Sequence, residues 1–195
     1  MTNCQDILKP TRLWTRAEVL ARPCPVPRTA GLYAWYFRNL DRVPAEDCLS
    51  CGGFRLLYVG ISPSAPPTNG KGPSTQTLFH RVRYHMQGNA EGSTLRLSLG
   101  CLLADQLGVE LRRVGSGKRM TFSTVEKRLS DWLEHNARVV WMVCDQPWVL
   151  EEELIGALNL PINLDQNRNH AFHHALSELR RTAKLGARTL PVLPR

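Results

Sequence analysis

The chain predicts an α+β fold, a small sheet with helices packed against it. Three observations carry this. Apolar runs rich in aromatic and β-branched residues occur at 31–38, 55–61 and 138–144, each the length of a strand. Stretches with helical periodicity fill the spaces between and after them, punctuated by Gly88 and Gly108. No run of eighteen apolar residues exists, so a membrane-spanning helix is not expected.

The elements follow in order. Thr15 to Ala21 reads as a short helix, with Thr15 as cap and Glu18 three positions on. Pro23, Pro25 and Pro27 then force an extended lead-in to the first strand, Gly31 to Arg38. Residues 39–53 read as a loop and Arg55 to Ile61 as the second strand. A Ser/Pro/Gly/Thr-rich loop covers 62–75. Helices are expected at Thr77–Gln87 and Thr94–Leu107, and a hairpin pairing Val109–Val114 with Met120–Phe122 across Gly115-Ser116-Gly117. A helix from Ser123 to Asn136, capped by Ser123, precedes a strand at Arg138–Cys144. Pro147 opens a helix carrying Glu151 to Leu158, which Pro161 ends, and His170 to Leu185 reads as an amphipathic basic helix.

With 43% hydrophobic residues over 195 positions, the chain has enough apolar material for one domain with extensions. The net charge of +8, from 25 basic and 17 acidic residues, favours polyanionic partners. Met1 to Pro10 is too polar for a signal peptide, so a soluble, cytoplasmic protein is expected, with no membrane partner. There the six cysteines remain thiols. Cys48 and Cys51 form a C-x-x-C, but a structural zinc site commonly takes two such pairs, and the single pair argues against zinc.

The motifs with chemistry are two tyrosine tripeptides, Gly31-Leu32-Tyr33 and Tyr58-Val59-Gly60, in the first two strands. After them come Arg81 and His85 in one helical pattern, then Leu150-Glu151-Glu152-Glu153-Leu154-Ile155, then Asn163 twelve residues beyond Glu151. That order resembles the GIY-YIG nuclease family. The resemblance implies a three-stranded antiparallel sheet flanked by helices, spanning residues 30–165. Residues 1–29 form an N-terminal arm, and 166–195 a C-terminal helix and tail packed on the core.

It also implies a phosphodiesterase centre. Arg81 brings a permanent charge and a bidentate fork for phosphate oxygens. Arg81 and His85 lie four apart on a helix and can approach one target, and His85 can move a proton near neutrality or hold a tyrosine by packing. Glu151 is the expected ligand of one Mg2+ or Mn2+, ions that suit hard oxygen donors. Glu152 and Glu153 read as surface charges. Tyr33 and Tyr58 would face one groove; in the family one is proposed as general base while the other positions water or phosphate, and the sequence does not assign which does which. Gly31 and Gly60 permit close backbone approach, and Asn163 reads as structural support.

Many family members carry a lysine just after the second tripeptide. Here Ile61-Ser62-Pro63 follows. Lys71 from the loop can replace it, Ser62 and the backbone can serve instead, or activity is weakened. Lys71, Arg83 and Arg96 are candidate substrate contacts. The function expected is that of a metal-dependent endonuclease hydrolysing DNA. The alternative is a weakly active or inactive nucleic-acid-binding protein on the same scaffold. A homodimer and successive nicks are the two routes to a double-strand cut from one site.

Overall fold

The structure, a computed structural model, describes residues 4–69, 72 and 74–194. Two short helices, α1 (Gln5–Leu8) and α2 (Arg16–Leu20), precede the sheet. The Thr15 hydroxyl accepts from Glu18 N, and the Glu18 carboxylate accepts from Thr15 N, so the expected capping box is closed. Then come β1 (Gly31–Phe37), β2 (Ser50–Cys51), β3 (Phe54–Ser62), α3 (Leu78–Gln87), α4 (Thr94–Leu102) and α5 (Ala104–Leu107). A hairpin of β4 (Arg112–Val114) and β5 (Arg119–Thr121) leads into α6 (Glu126–Asn136), β6 (Ala137–Val143), α7 (Pro147–Ala157) and α8 (His173–Thr189).

The main sheet is antiparallel, in the order β2-β3-β1-β6. It thus has one strand more than expected. Gly52 and Gly53 both take positive φ (55° and 78°), which suits a tight two-residue turn and folds Ser50–Cys51 back onto Phe54–Arg55. Central β1 is buried along its whole length. Tyr33, Trp35 and Phe37 face one core with residues of α3, α4, α6 and α8. Leu32, Ala34 and Tyr36 face a second core with Ile7, Leu150, Leu154 and Ile155. The sheet therefore carries helices on both faces, which explains why β1 reads as a continuous apolar run.

One irregularity matters for the site. The β1–β3 register shifts between Trp35↔Tyr58 and Tyr36↔Leu56, leaving Leu57 as an extra residue in β3. This β-bulge puts both Leu57 and Tyr58 on the Tyr33 side of the sheet, while Leu56 and Val59 face the other core.

Elsewhere two expectations need correction. The helix expected over Thr94–Leu107 is two pieces, α4 and α5, separated at Leu103. Ser123 does not cap α6; it sits at φ 53° as the first residue of a 3-10 turn, Ser123–Val125. The Glu126 carboxylate accepts from Phe122 N (3.1 Å) and Ala90 N (2.8 Å) instead. No helix among the described residues is long and apolar enough to cross a membrane.

Candidate active site

The two tripeptides, α3, α7 and the segment after α7 converge on a cleft of about 420 Å3. Tyr33, Tyr58, Gly60, Arg81, Glu151 and Asn163 all line it. His85 does not. It lies fully buried beneath the cleft, with Nε2 2.9 Å from the Tyr33 hydroxyl and Nδ1 2.7 Å from Ser93 Oγ.

The proton positions in this chain follow from bookkeeping of donors. Ser93 is fully buried and its Oγ already accepts from Arg96 N at 3.0 Å as the cap of α4. Its own proton must go to an acceptor, and His85 Nδ1 is the one within reach. The network thereby assigns the tautomer protonated at Nε2, which donates to the Tyr33 oxygen. Burial, reinforced by the charges of Arg81 and Arg96, holds the His85 pKa well below the ordinary 6.5, so the ring is neutral. Tyr33 itself is pushed well above 10 by burial, with the nearby positive charge of Arg81 in partial opposition. With Nε2–H donating to that oxygen and no acceptor for the phenol proton among the described residues, the proton is left for the cleft that Tyr33 lines.

Arg81 donates to the Gly92 carbonyl at 2.8 Å, which fixes its guanidinium. Among the described residues it has no carboxylate partner. Burial works against its charge, but Tyr33, Tyr58 and Tyr84 outweigh that and raise its pKa. Tyr58, which lines the cleft beside Thr94, is raised mainly by burial. The site thus holds a permanent cation between two neutral phenols.

Glu151 sits in the second turn of α7, flanked by buried Leu150 and Leu154, which hold that helix against the sheet. Burial first, and Asp165 second, push its pKa up to about 7. Among the described residues its carboxylate has no hydrogen-bond donor. A half-buried carboxylate without a protein donor, beside a second carboxylate in the same cleft, fits a hard divalent cation that takes one or two carboxylates and keeps waters. No group of three His, Cys, Asp or Glu side chains among the described residues forms a fuller cage.

Asn163 works on the backbone. Its Oδ1 accepts from Val59 N and its Nδ2 donates to Val59 O, both at 2.9 Å. The free edge of β3 beside Tyr58 is thereby paired, and Ile162 N donates to Leu57 O at 3.2 Å in continuation. The two glycines are steric necessities. A Cβ on Gly60 would lie 2.6 Å from the Tyr33 oxygen, and one on Gly31 2.2 Å from Met142 O.

The candidate substrate contacts fare differently. Lys71 lies outside the described residues. Arg83 lines none of the cleft; it donates to Val19 O at 2.9 Å and stacks on Phe79, tying α3 to α2. Arg96 must be corrected outright. It is fully buried, pairs with Glu126 at 2.7 Å and donates to His85 O, so it belongs to the core and cannot reach substrate. Ser62 is buried with no partner for its hydroxyl, and Ser64 reaches the cleft instead. The Cys48 and Cys51 thiols donate to different carbonyls, of Asn159 and Pro10.

Sequence reasoning missed Asp165, Thr94 and Arg180 as cleft residues. Arg180 arrives from α8, and its spacing with His173, Ser177 and Lys184 was the available signal.

An antiparallel sheet and its helices present two tyrosines, an arginine with no described carboxylate partner and a glutamate with no described donor to one cleft, groups able to bind a phosphate and a cation. A family model described as the GIY-YIG catalytic domain matches residues 31–182, and the chain belongs to the GIY-YIG nuclease family. The match runs beyond the cleft into α8. Neither curated proteins nor solved structures gave a match. A nuclease domain implies a nucleic-acid substrate, and nucleases of this family are generally dependent on divalent metal ions.

Proposed function

We propose that the chain is a metal-dependent endonuclease that hydrolyses phosphodiester bonds of DNA at this single cleft. One observation carries the reading. In a member of a nuclease family, Arg81 free of any described carboxylate and Glu151 free of any described donor line the same cleft as Tyr33 and Tyr58. The net charge of +8 supports a polyanionic substrate.

Arg81, held by the Gly92 carbonyl, binds the scissile phosphate and offsets its developing charge. Glu151, assisted by Asp165, would hold one Mg2+ or Mn2+. When bound, that ion supplies Lewis-acid stabilisation of the phosphoryl oxygens. Tyr33 enters as a neutral phenol whose proton faces the cleft. When the proton passes to an oxygen of the reacting group, the phenolate charge falls between His85 Nε2–H and Arg81. His85 therefore acts through Tyr33 as a positioning residue. Tyr58, in the same cleft, orients water or phosphate. Six cysteines without disulfides suit the reducing cytoplasm.

The test is nicking of supercoiled plasmid with Mg2+, Mn2+ or EDTA, beside Glu151→Ala. Metal-dependent nicking that disappears in the variant is expected. Nicking that survives the substitution removes Glu151 from the chemistry. Salt-dependent DNA binding with no nicking by either protein favours the inactive scaffold.

A further inference from the structure

The cleft does not end at the catalytic residues. A groove of about 750 Å3 runs along α8 and shares Leu164, Asp165, Gln166 and Arg180 with it. His173, Ser177, Arg180 and Lys184 line this groove at positions i, i+4, i+7 and i+11, one stripe of a helix. A neighbouring stripe, Leu176, Leu179, Ala183 and Ala187, packs into the core and fixes which way the polar stripe looks. Arg168 stands on the approach to α8, in the same groove.

The groove gathers several cations into one place on the surface. Some exposed cations elsewhere are neutralised, as in Arg12–Glu18, Arg42–Asp105 and Lys127–Asp131, while Lys9, Arg22 and Lys118 stand singly, far apart in sequence, with no ion pair among the described residues. In the groove only Arg181 is paired, by Glu178 at 2.6 Å. Among the described residues, Arg168, Arg180 and Lys184 have neither ion pair nor hydrogen bond. Against these three cations the groove sets one carboxylate, Asp165. From His173 to Lys184 the stripe extends about 16 Å along the axis, at about 1.5 Å per residue, enough to follow several consecutive phosphates of one strand.

We propose that α8 and Arg168 form a backbone track for the DNA strand flanking the scissile phosphate, with Arg180 as the hinge between track and cleft. This rests on the nuclease reading of the cleft. It explains why a helix whose core contacts need only four residues carries unpaired cations on the flank that opens into the site. The contacts are to phosphates, so the track positions the strand and carries no sequence preference of its own.

The experiment measures binding of a fluorescein-labelled DNA duplex by anisotropy across a salt series. It uses the full chain carrying Glu151→Ala, so that cleavage does not interfere, with and without Arg168→Ala/Lys184→Ala. Wild-type nicking is run in parallel and reports on the cleft reading by itself. Each phosphate contact contributes about 0.9 to the slope of log K against log salt, so removing two cations should make it shallower by about 1.8. Lys118→Ala, an exposed lysine of the β4–β5 turn outside both clefts, should leave the slope in place. Melting curves check that each variant is folded. An unchanged slope in the double variant overturns the track while the nuclease reading stands. An equal loss in Lys118→Ala replaces the track with diffuse charge attraction and also overturns it. Failure of the parent to bind DNA at any salt overturns the track, and the nuclease reading is then decided by the wild-type nicking alone.

Discussion

Replacing Gly60 with alanine should be far more damaging than one methyl group suggests. The new Cβ would lie 2.6 Å from the Tyr33 oxygen, 2.7 Å from Cζ and 2.9 Å from Cε2. Carbon contacts are comfortable at about 3.5–4.0 Å, so the ring must retreat by about 1 Å. It has no room to do so quietly, because Tyr33 is 1% exposed and its hydroxyl sits 2.9 Å from His85 Nε2. Overpacking of this kind costs about 1–3 kcal/mol. Pulling the hydroxyl off His85 strands buried polar groups at about 1–3 kcal/mol more. A loss of about 2–6 kcal/mol is expected, and at about 2–4 °C per kcal/mol for a domain of this size the Tm should drop by about 4–24 °C. A reacting group displaced by about 1 Å also lowers turnover by roughly 10²-fold. Calorimetry and single-turnover plasmid nicking read the two effects separately. Gly156→Ala is the counterpart, since nothing lies within 4 Å of its Cβ in α7 and it should stabilise the protein by up to about 1 kcal/mol. A Gly60→Ala protein that melts and nicks like its parent would refute the claim that the phenol's seat depends on this glycine.

Other perturbations follow from the same geometry. Asn163→Ala should cost about 2–3 kcal/mol in urea unfolding, because it leaves Val59 N–H and C=O unpaired at the edge of β3. Arg96→Ala should cost about 3–5 kcal/mol by the same measurement, since it abandons the partly buried Glu126 carboxylate as well as the carbonyl of His85. Stability should also fall with acid. The folded His85 pKa is depressed below 6.5, so between 6.5 and its folded value the unfolded chain binds one proton more. This contribution is complete above pH 6.5 and is lost as pH drops through that window, by up to about 1.4 kcal/mol per pH unit. Urea unfolding of wild type and His85→Asn at pH 7.5 and 5.5 checks it: the slope attributable to this ring should vanish in the variant.

Much of this was legible because periodicity and punctuation are local. The three main strands, the β4–β5 hairpin, α3, α7 and α8 all begin and end within a few residues of where alternation, Pro and Gly put them. Arg81 and His85 could be placed on one helix by spacing, but spacing does not say which of them is underneath. Burial of His85 depends on β1 lying across α3, a contact between residues 52 positions apart. Arg96 was misread for the same reason. An arginine near a helix start looks like a phosphate ligand until Glu126, thirty positions later, is folded against it. The spacing of Arg180 placed it on one stripe of α8, but that this stripe, and Asp165 before it, meets the cleft is decided by tertiary packing. The fourth strand escaped because its length is two residues, too short for alternation to register.

The bulge at Leu57 has a consequence for how the second tripeptide should be understood. In a regular strand, parity alone decides which side a residue serves, and Tyr58 would then share a side with Leu56. Its phenol would point at α7's apolar seam, across the sheet from Tyr33. The supernumerary residue switches the parity once, and every later position of β3 keeps the new setting. The spelling Tyr-Val-Gly therefore has chemical meaning only in a particular reading frame of the strand. Changing the count of residues between Phe54 and Tyr58 by one, with no change to the motif, would dismantle the pair as surely as deleting a tyrosine.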